Sequence, residues 1–90
     1  MQLTHHARVR SAQRSIPLSI IETILDYGDP KPASGRALRI LFDTASIRLA
    51  AEGNRRLQSE LERYRNTYLI VGDSDSIITV ARSRRRHFDN

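Results

Sequence analysis

The last third of the chain contains the pattern that most constrains its fold. Residues 67–72, TYLIVG, and 76–82, SIITVAR, are rich in β-branched and aromatic residues, which favour strands. The Asp73-Ser74-Asp75 segment between them favours a turn, so the sequence predicts a β-hairpin. Both segments carry apolar residues on both faces, and we therefore expect central strands that are covered on each side.

Two short helices are predicted near the start of the chain. Thr4 is suited to cap a helix over 5–14, a segment that contains neither Gly nor Pro. Pro17 ends that helix and is compatible with the first turn of the next one, for which Gly28 is a suitable C-cap. Between these two residues, apolar side chains recur at the spacing of a buried helix face: Ile20, Ile21, Ile24 and Leu25.

The middle of the chain predicts a loop, a strand and a helix, in that order. The composition of 29–36, DPKPASGR, indicates a loop, and the alternation in 37–43, ALRILFD, indicates a strand. Residues 44–52 are compatible with a helix, but Gly53-Asn54 interrupts the pattern. Asn54 is suited to cap an inserted helix whose apolar side carries Leu57, Leu61 and Tyr64.

This order of elements predicts an α+β fold. We expect two N-terminal helices packed on a small, mostly antiparallel sheet, with one inserted helix and a C-terminal β-hairpin. The length of 90 residues fits a single domain over 1–90. Residues 83–90 form a basic tail that we expect to be partly mobile.

Arginine dominates the charge of the chain. Fourteen of the 15 basic residues are arginine, against 10 acidic residues, and the formal net charge is +5. The planar guanidinium binds phosphate and carboxylate oxygens in a bidentate manner and stacks on bases. A GC-rich genome would also favour arginine codons, but the net positive charge remains. It indicates a polyanion or an acidic protein as the partner.

Several kinds of protein are disfavoured by what the sequence lacks. Without cysteine there is no disulfide framework, cysteine zinc site or thiol nucleophile. The apolar runs are short and the start is polar, so we expect a cytoplasmic protein with no membrane partner. There is neither a G-x-S-x-G elbow nor a glycine-rich phosphate loop. We therefore expect no cofactor. His5 and His6 would diverge by about 100° on a helix, so one ion could not easily bind both, and we expect no metal site.

Two groups of residues are candidates for a functional site. His6, Arg10 and Arg14 are four apart and would share one face of the first helix, where the alternative is a solvated stripe. The second group is the closing strand with its basic extension, for which the alternative is a charged tail that keeps the protein soluble. Its members are suited to a phosphate backbone: Thr79, Arg82, Arg84, Arg85, Arg86 and His87.

The first helix also carries a recognisable pattern, H-A-x-x-R-x-x-x-R-x-I, at His6, Ala7, Arg10, Arg14 and Ile16. It resembles the opening of a family of small prokaryotic domains similar to RelE-type toxins, within the barnase–EndoU–colicin–RelE (BECR) group of ribonuclease folds. The closing strand of that family is similar to I-x-T-V, which the segment 77–80 matches, and basic residues follow it.

The resemblance implies a toxin of a toxin–antitoxin pair that cleaves RNA without a metal, with an antitoxin protein as its partner. The residues that carry over are His6, Arg10, Arg14 and Thr79, with Arg82 a looser fit. In that reaction an imidazole would act as base or acid, and guanidiniums would hold the charge that builds on the phosphoryl oxygens. His87 would be a second proton-transfer group.

One departure from the family concerns the segment 44–65, which is long for a minimal RelE-like toxin and would suit an element that binds a partner. Two other functions stay open on the sequence. The basic face would also suit a non-catalytic nucleic-acid-binding module, whose affinity falls steeply with salt. With five aromatic residues, three Tyr and two Phe, a stacking platform for single strands is poorly supported. A protein-interaction domain, which would dock through the helix at 54–65, is the third possibility.

Overall fold

The protein is described by a computed structural model, which covers residues 2–83. These residues form an α+β fold of four α-helices and a five-stranded sheet. The helices are α1 His5–Gln13, α2 Leu18–Tyr27, α3 Thr44–Ala51 and α4 Arg55–Leu61. The strands are β1 Gln2–Leu3, β2 Asp29–Pro32, β3 Leu38–Leu41, β4 Thr67–Val71 and β5 Ser76–Arg82. Two short 3-10 turns, Glu62–Tyr64 and Asp73–Asp75, precede β4 and β5.

The sheet is mostly antiparallel, as the sequence predicts. Its strand order is β1-β5-β4-β3-β2, and only the pair β1/β5 is parallel. The predicted hairpin is β4 and β5, joined by the turn at 73–75. A bulge leaves Ile78 without a direct partner, because Thr79 pairs with Ile70 and Ile77 pairs with Val71.

The hydrophobic core lies on one face of the sheet. Ile40, Leu69 and Val80 are register partners, and all three are buried against the helices. Other large members of the core come from the helices, the turn between α1 and α2, the residue after β3, and β5: Ile16, Ile21, Ile24, Phe42, Ile47, Leu61 and Ile77. The prediction of cover on both faces is therefore wrong for the described chain, since the opposite face of β3, β4 and β5 is only partly buried.

The predicted helix caps at Thr4, Gly28 and Asn54 are confirmed. The segment between β3 and β4 contains two helices where the sequence predicts one. They are separated by Glu52 and Gly53, both with left-handed backbone (φ 51° and 82°), which reverses the chain and lets α3 and α4 pack together. None of the described helices combines the length with the apolar composition that a membrane span requires.

Residues 29–36 are not simply a loop, because Asp29–Pro32 pairs with β3 at the edge of the sheet. The Ala33 N–H donates to the Ala37 carbonyl over 2.9 Å. Hydrogen-bonded and non-bonded pairs alternate along an antiparallel ladder, so Pro30 and Pro32 occupy the non-bonded positions. Their missing N–H groups would have pointed away from β3. A proline-rich edge strand is therefore possible here, although the composition favours a loop.

The N-cap of α3 makes a stability prediction. The Asp43 carboxylate accepts from the Ser46 backbone N–H (2.9 Å) and from the Ser46 hydroxyl (2.6 Å), and Ser46 is 2% exposed. Replacing Asp43 by Ala should lower the free energy of unfolding by about 1–2 kcal/mol, measured by urea denaturation. The control is Asn54→Ala at the exposed cap of α4, which should cost about 0.5–1 kcal/mol. An equal or larger loss in the control would contradict the ranking.

Candidate functional site

A cleft of roughly 520 Å³ opens at the end of the sheet where β4 begins and β5 ends. The turn between α1 and α2 forms one wall, and the 3-10 turn at Glu62–Tyr64 forms another. The polar and aromatic residues that line it include Arg14, Ser15, Arg63, Tyr64, Thr67 and Arg82. These residues are far apart in the sequence, and the fold brings them together.

Three arginines line this cleft from three different elements: Arg14 at the C-cap of α1, Arg63 in the 3-10 turn and Arg82 at the end of β5. Arg82 Nη2 donates to the Arg63 carbonyl oxygen over 3.0 Å, which ties the strand end to the 3-10 turn. The other donors of Arg82 stay available, because a guanidinium carries five N–H groups.

No carboxylate neutralises these arginines within the cleft, since none of its described lining residues is Asp or Glu. The ion pair found among residues 2–83 lies next to the cleft and joins Arg65 Nε to Glu62 Oε1 at 3.6 Å. Glu62, the acidic residue closest in sequence to the residues of the cleft, is therefore paired with Arg65, which does not line the cleft. The cleft is therefore a concentration of positive charge with free donors, which suits an anion with several oxygens.

The position of Arg14 depends on a tight reversal at the end of α1. The Ile16 N–H donates to the Ser11 carbonyl and the Ser15 N–H donates to the Ala12 carbonyl, which together form a Schellman motif. Ser15 takes the left-handed conformation at φ 55°, where glycine is the usual residue. Ile16 then turns into the core at 7% exposure, so burial of one side chain fixes the direction of its neighbours.

Ser15 gives a test of this reversal. Ser15→Gly should raise the free energy of unfolding by about 1 kcal/mol, because a left-handed conformation costs an L-residue roughly that amount. The measurement is urea denaturation followed by circular dichroism. Ser59→Gly within α4 is the matched control and should lower the free energy of unfolding by about 0.5 kcal/mol. A loss of stability in Ser15→Gly would contradict the assignment.

The structure brings together two of the residues that the sequence proposed for the site. Arg14 and Arg82, from opposite ends of the described chain, line the same cleft. Arg63, Tyr64 and Thr67 join them although the sequence did not single them out for a site. Tyr64 is on the apolar side of the helix predicted at 54–65, and Arg63 is an exposed residue beside it, so periodicity alone gives no signal for either.

His6 and Arg10 are exposed on α1 and do not line the cleft. His6 lies eight residues before Arg14, which is about 12 Å along a helix axis. In residues 2–83 neither His6 nor Arg10 makes an ion pair. Both side chains are thus in contact with solvent, as they would be if this face of α1 were a solvated stripe and not a site.

Thr79 lies on the opposite, uncovered face of the sheet. It is the register partner of Ile70, which in turn pairs with Arg39, and all three are partly buried. Tyr68 is on the same face, and the Arg39 guanidinium carbon lies 5.3 Å from the centroid of its ring. The remaining predicted residues, Arg84, Arg85, Arg86 and His87, lie outside the described residues.

Comparison with known protein families, with curated proteins and with solved structures gives no match to this chain. Within residues 2–83, no three His, Asp or Glu side chains are grouped as ligands of a metal ion would be. The case for a function therefore depends on the chemistry of the cleft itself.

Proposed function

We propose that this protein binds RNA by holding the phosphate backbone in the arginine cleft. The observation that carries the proposal is the meeting of Arg14, Arg63 and Arg82 with no carboxylate among the described lining residues. Each guanidinium presents a fork of donors that fits two phosphate oxygens, and three such forks can hold more than one phosphate group. The net charge of +5 attracts the same polyanion over a longer range.

A chain of phosphates suits the cleft better than a single small anion. The cleft is open along the end of the sheet, and its volume of roughly 520 Å³ is far larger than one phosphate group. Tyr64, which packs partly against the core, adds an aromatic residue to the lining of the cleft, against which a sugar or base can pack. The choice of RNA over DNA rests on the resemblance to RelE-like toxins.

The second candidate function is an RNA-cleaving toxin, acting in the cytoplasm and silenced by an antitoxin. The specific observation in its favour is that Tyr64 lines the cleft together with the arginines. Attack by a 2′-hydroxyl on the adjacent phosphorus needs that oxygen deprotonated, the charge on the phosphorane stabilised and the leaving 5′-oxygen protonated. Guanidiniums can supply the stabilisation, and a phenol or an imidazole can carry a proton.

Binding is tested by titrating a fluorescein-labelled single-stranded RNA at several salt concentrations. Arg14→Ala and Arg82→Ala should each weaken binding about tenfold, because a charge-assisted hydrogen bond is worth roughly 1.5–3 kcal/mol. The slope of log K against log salt should fall by about 0.7 for each phosphate that the variant no longer neutralises. Arg48→Ala removes the same charge from an exposed site on α3 and should change affinity less than twofold. Equal losses of affinity in all three variants would show that only overall charge matters.

Cleavage is tested with the purified protein and RNA in excess EDTA. The toxin function predicts cleavage by the wild type, and a loss of at least about 100-fold in Arg82→Ala or Tyr64→Phe. His6→Ala, tested in parallel, separates proton transfer by His6 from proton transfer within the cleft. Binding without product, together with normal growth of cells that express the protein, would reject the toxin and leave the binding function in place.

A further inference from the structure

The uncovered face of the sheet carries a second set of groups suited to RNA. Its central rows are Arg39–Ile70–Thr79 and Leu41–Tyr68–Ala81, given by the pairing of β3, β4 and β5. All six residues are partly buried, and the helices that the structure describes pack against the other face. The surface is thus a shallow, mainly apolar platform with one cation and one aromatic ring at its centre.

Arg39 and Tyr68 form the only cation–π contact found in residues 2–83. The guanidinium carbon lies 5.3 Å from the ring centroid, within the range of an attractive contact. Arg39 makes no ion pair in the described chain, so its charge is not neutralised by a carboxylate. A planar guanidinium held over a ring is pre-ordered to stack a further flat group, and a nucleobase is such a group.

The charge of this face alone does not select a polyanion. The acidic Asp29 lies on the same face as the basic Lys31 and Arg39. Continuity with the cleft decides the matter. Tyr68 directly follows Thr67, and Ala81 directly precedes Arg82, while Thr67 and Arg82 line the cleft. Successive side chains of a strand point to opposite faces. The platform and the cleft are therefore the two sides of the same sheet end.

We propose that the ligand of this protein is single-stranded RNA that passes round this end of the sheet, with its phosphates in the cleft and an unpaired base stacked on Arg39 and Tyr68. The inference rests on the proposed function, since the cleft supplies the phosphate contacts. A duplex does not satisfy both surfaces, because its bases are paired and stacked inside the helix. Single-strand selectivity thus follows from the two faces acting together.

The test compares three labelled ligands of equal phosphate number: a single-stranded RNA, the same strand made abasic, and a hairpin duplex. Wild type should bind the intact strand about 10-fold more tightly than the other two, since a base stacked on a flat side chain strengthens binding by about that factor. Arg39→Lys keeps the charge and removes the planar group, so it should reduce this preference to less than about threefold. Arg36→Lys, the same change in the exposed turn between β2 and β3, should leave the preference intact.

Tyr68→Leu is a second variant, and it should likewise remove the preference, with folding checked by circular dichroism. A 2-aminopurine placed in the strand should be quenched by wild type and not by Arg39→Lys. If wild type binds the intact and abasic strands equally, and Arg82→Ala weakens both, base stacking is wrong while phosphate binding stands. If wild type binds none of the three ligands, both proposals are overturned.

Discussion

The position of β5 between β1 and β4 is the constraint on which the rest of the molecule depends. The beginning of the chain pairs with this last described strand through β1, and the Thr4 N–H donates to the Ile77 carbonyl over 3.0 Å at the start of α1. Helix α1 then lies along β5 with Ala7 fully buried. This contact sets the end of α1 beside the end of β5, so that Arg14 and Arg82 line the same cleft.

The segment between β3 and β4 also contributes to the cleft. Helices α3 and α4 pack on each other, α3 also packs on α2, and Leu61 is buried at the end of α4. The chain then tightens into the 3-10 turn at Glu62–Tyr64 before it enters β4. That turn supplies Arg63 and Tyr64 to the cleft and accepts the hydrogen bond from Arg82. The segment between β3 and β4 thus builds one wall of the candidate site.

Elements whose signals are local were predictable from the sequence. The closing hairpin, α2 and the caps at Thr4 and Asn54 depend on residues within a few positions of one another, and all are confirmed. Strand β2 was not predictable, because two prolines favour a loop until pairing with β3 is known. The uncovered face was missed for a related reason, since Tyr68 and Ile70 are as apolar as buried residues. Arg14 and Arg82 line one cleft only because of the tertiary fold, and no spacing in the sequence predicts this.

The two prolines of β2 have a consequence for how this molecule meets others. An edge strand normally offers a row of outward N–H groups to which a further strand can add. At Pro30 and Pro32 those groups do not exist, so a foreign strand would find acceptors without donors along this border. The border at β1 is two residues long. Neither border of the sheet in the described chain therefore offers a foreign strand a long, unbroken row of donors and acceptors.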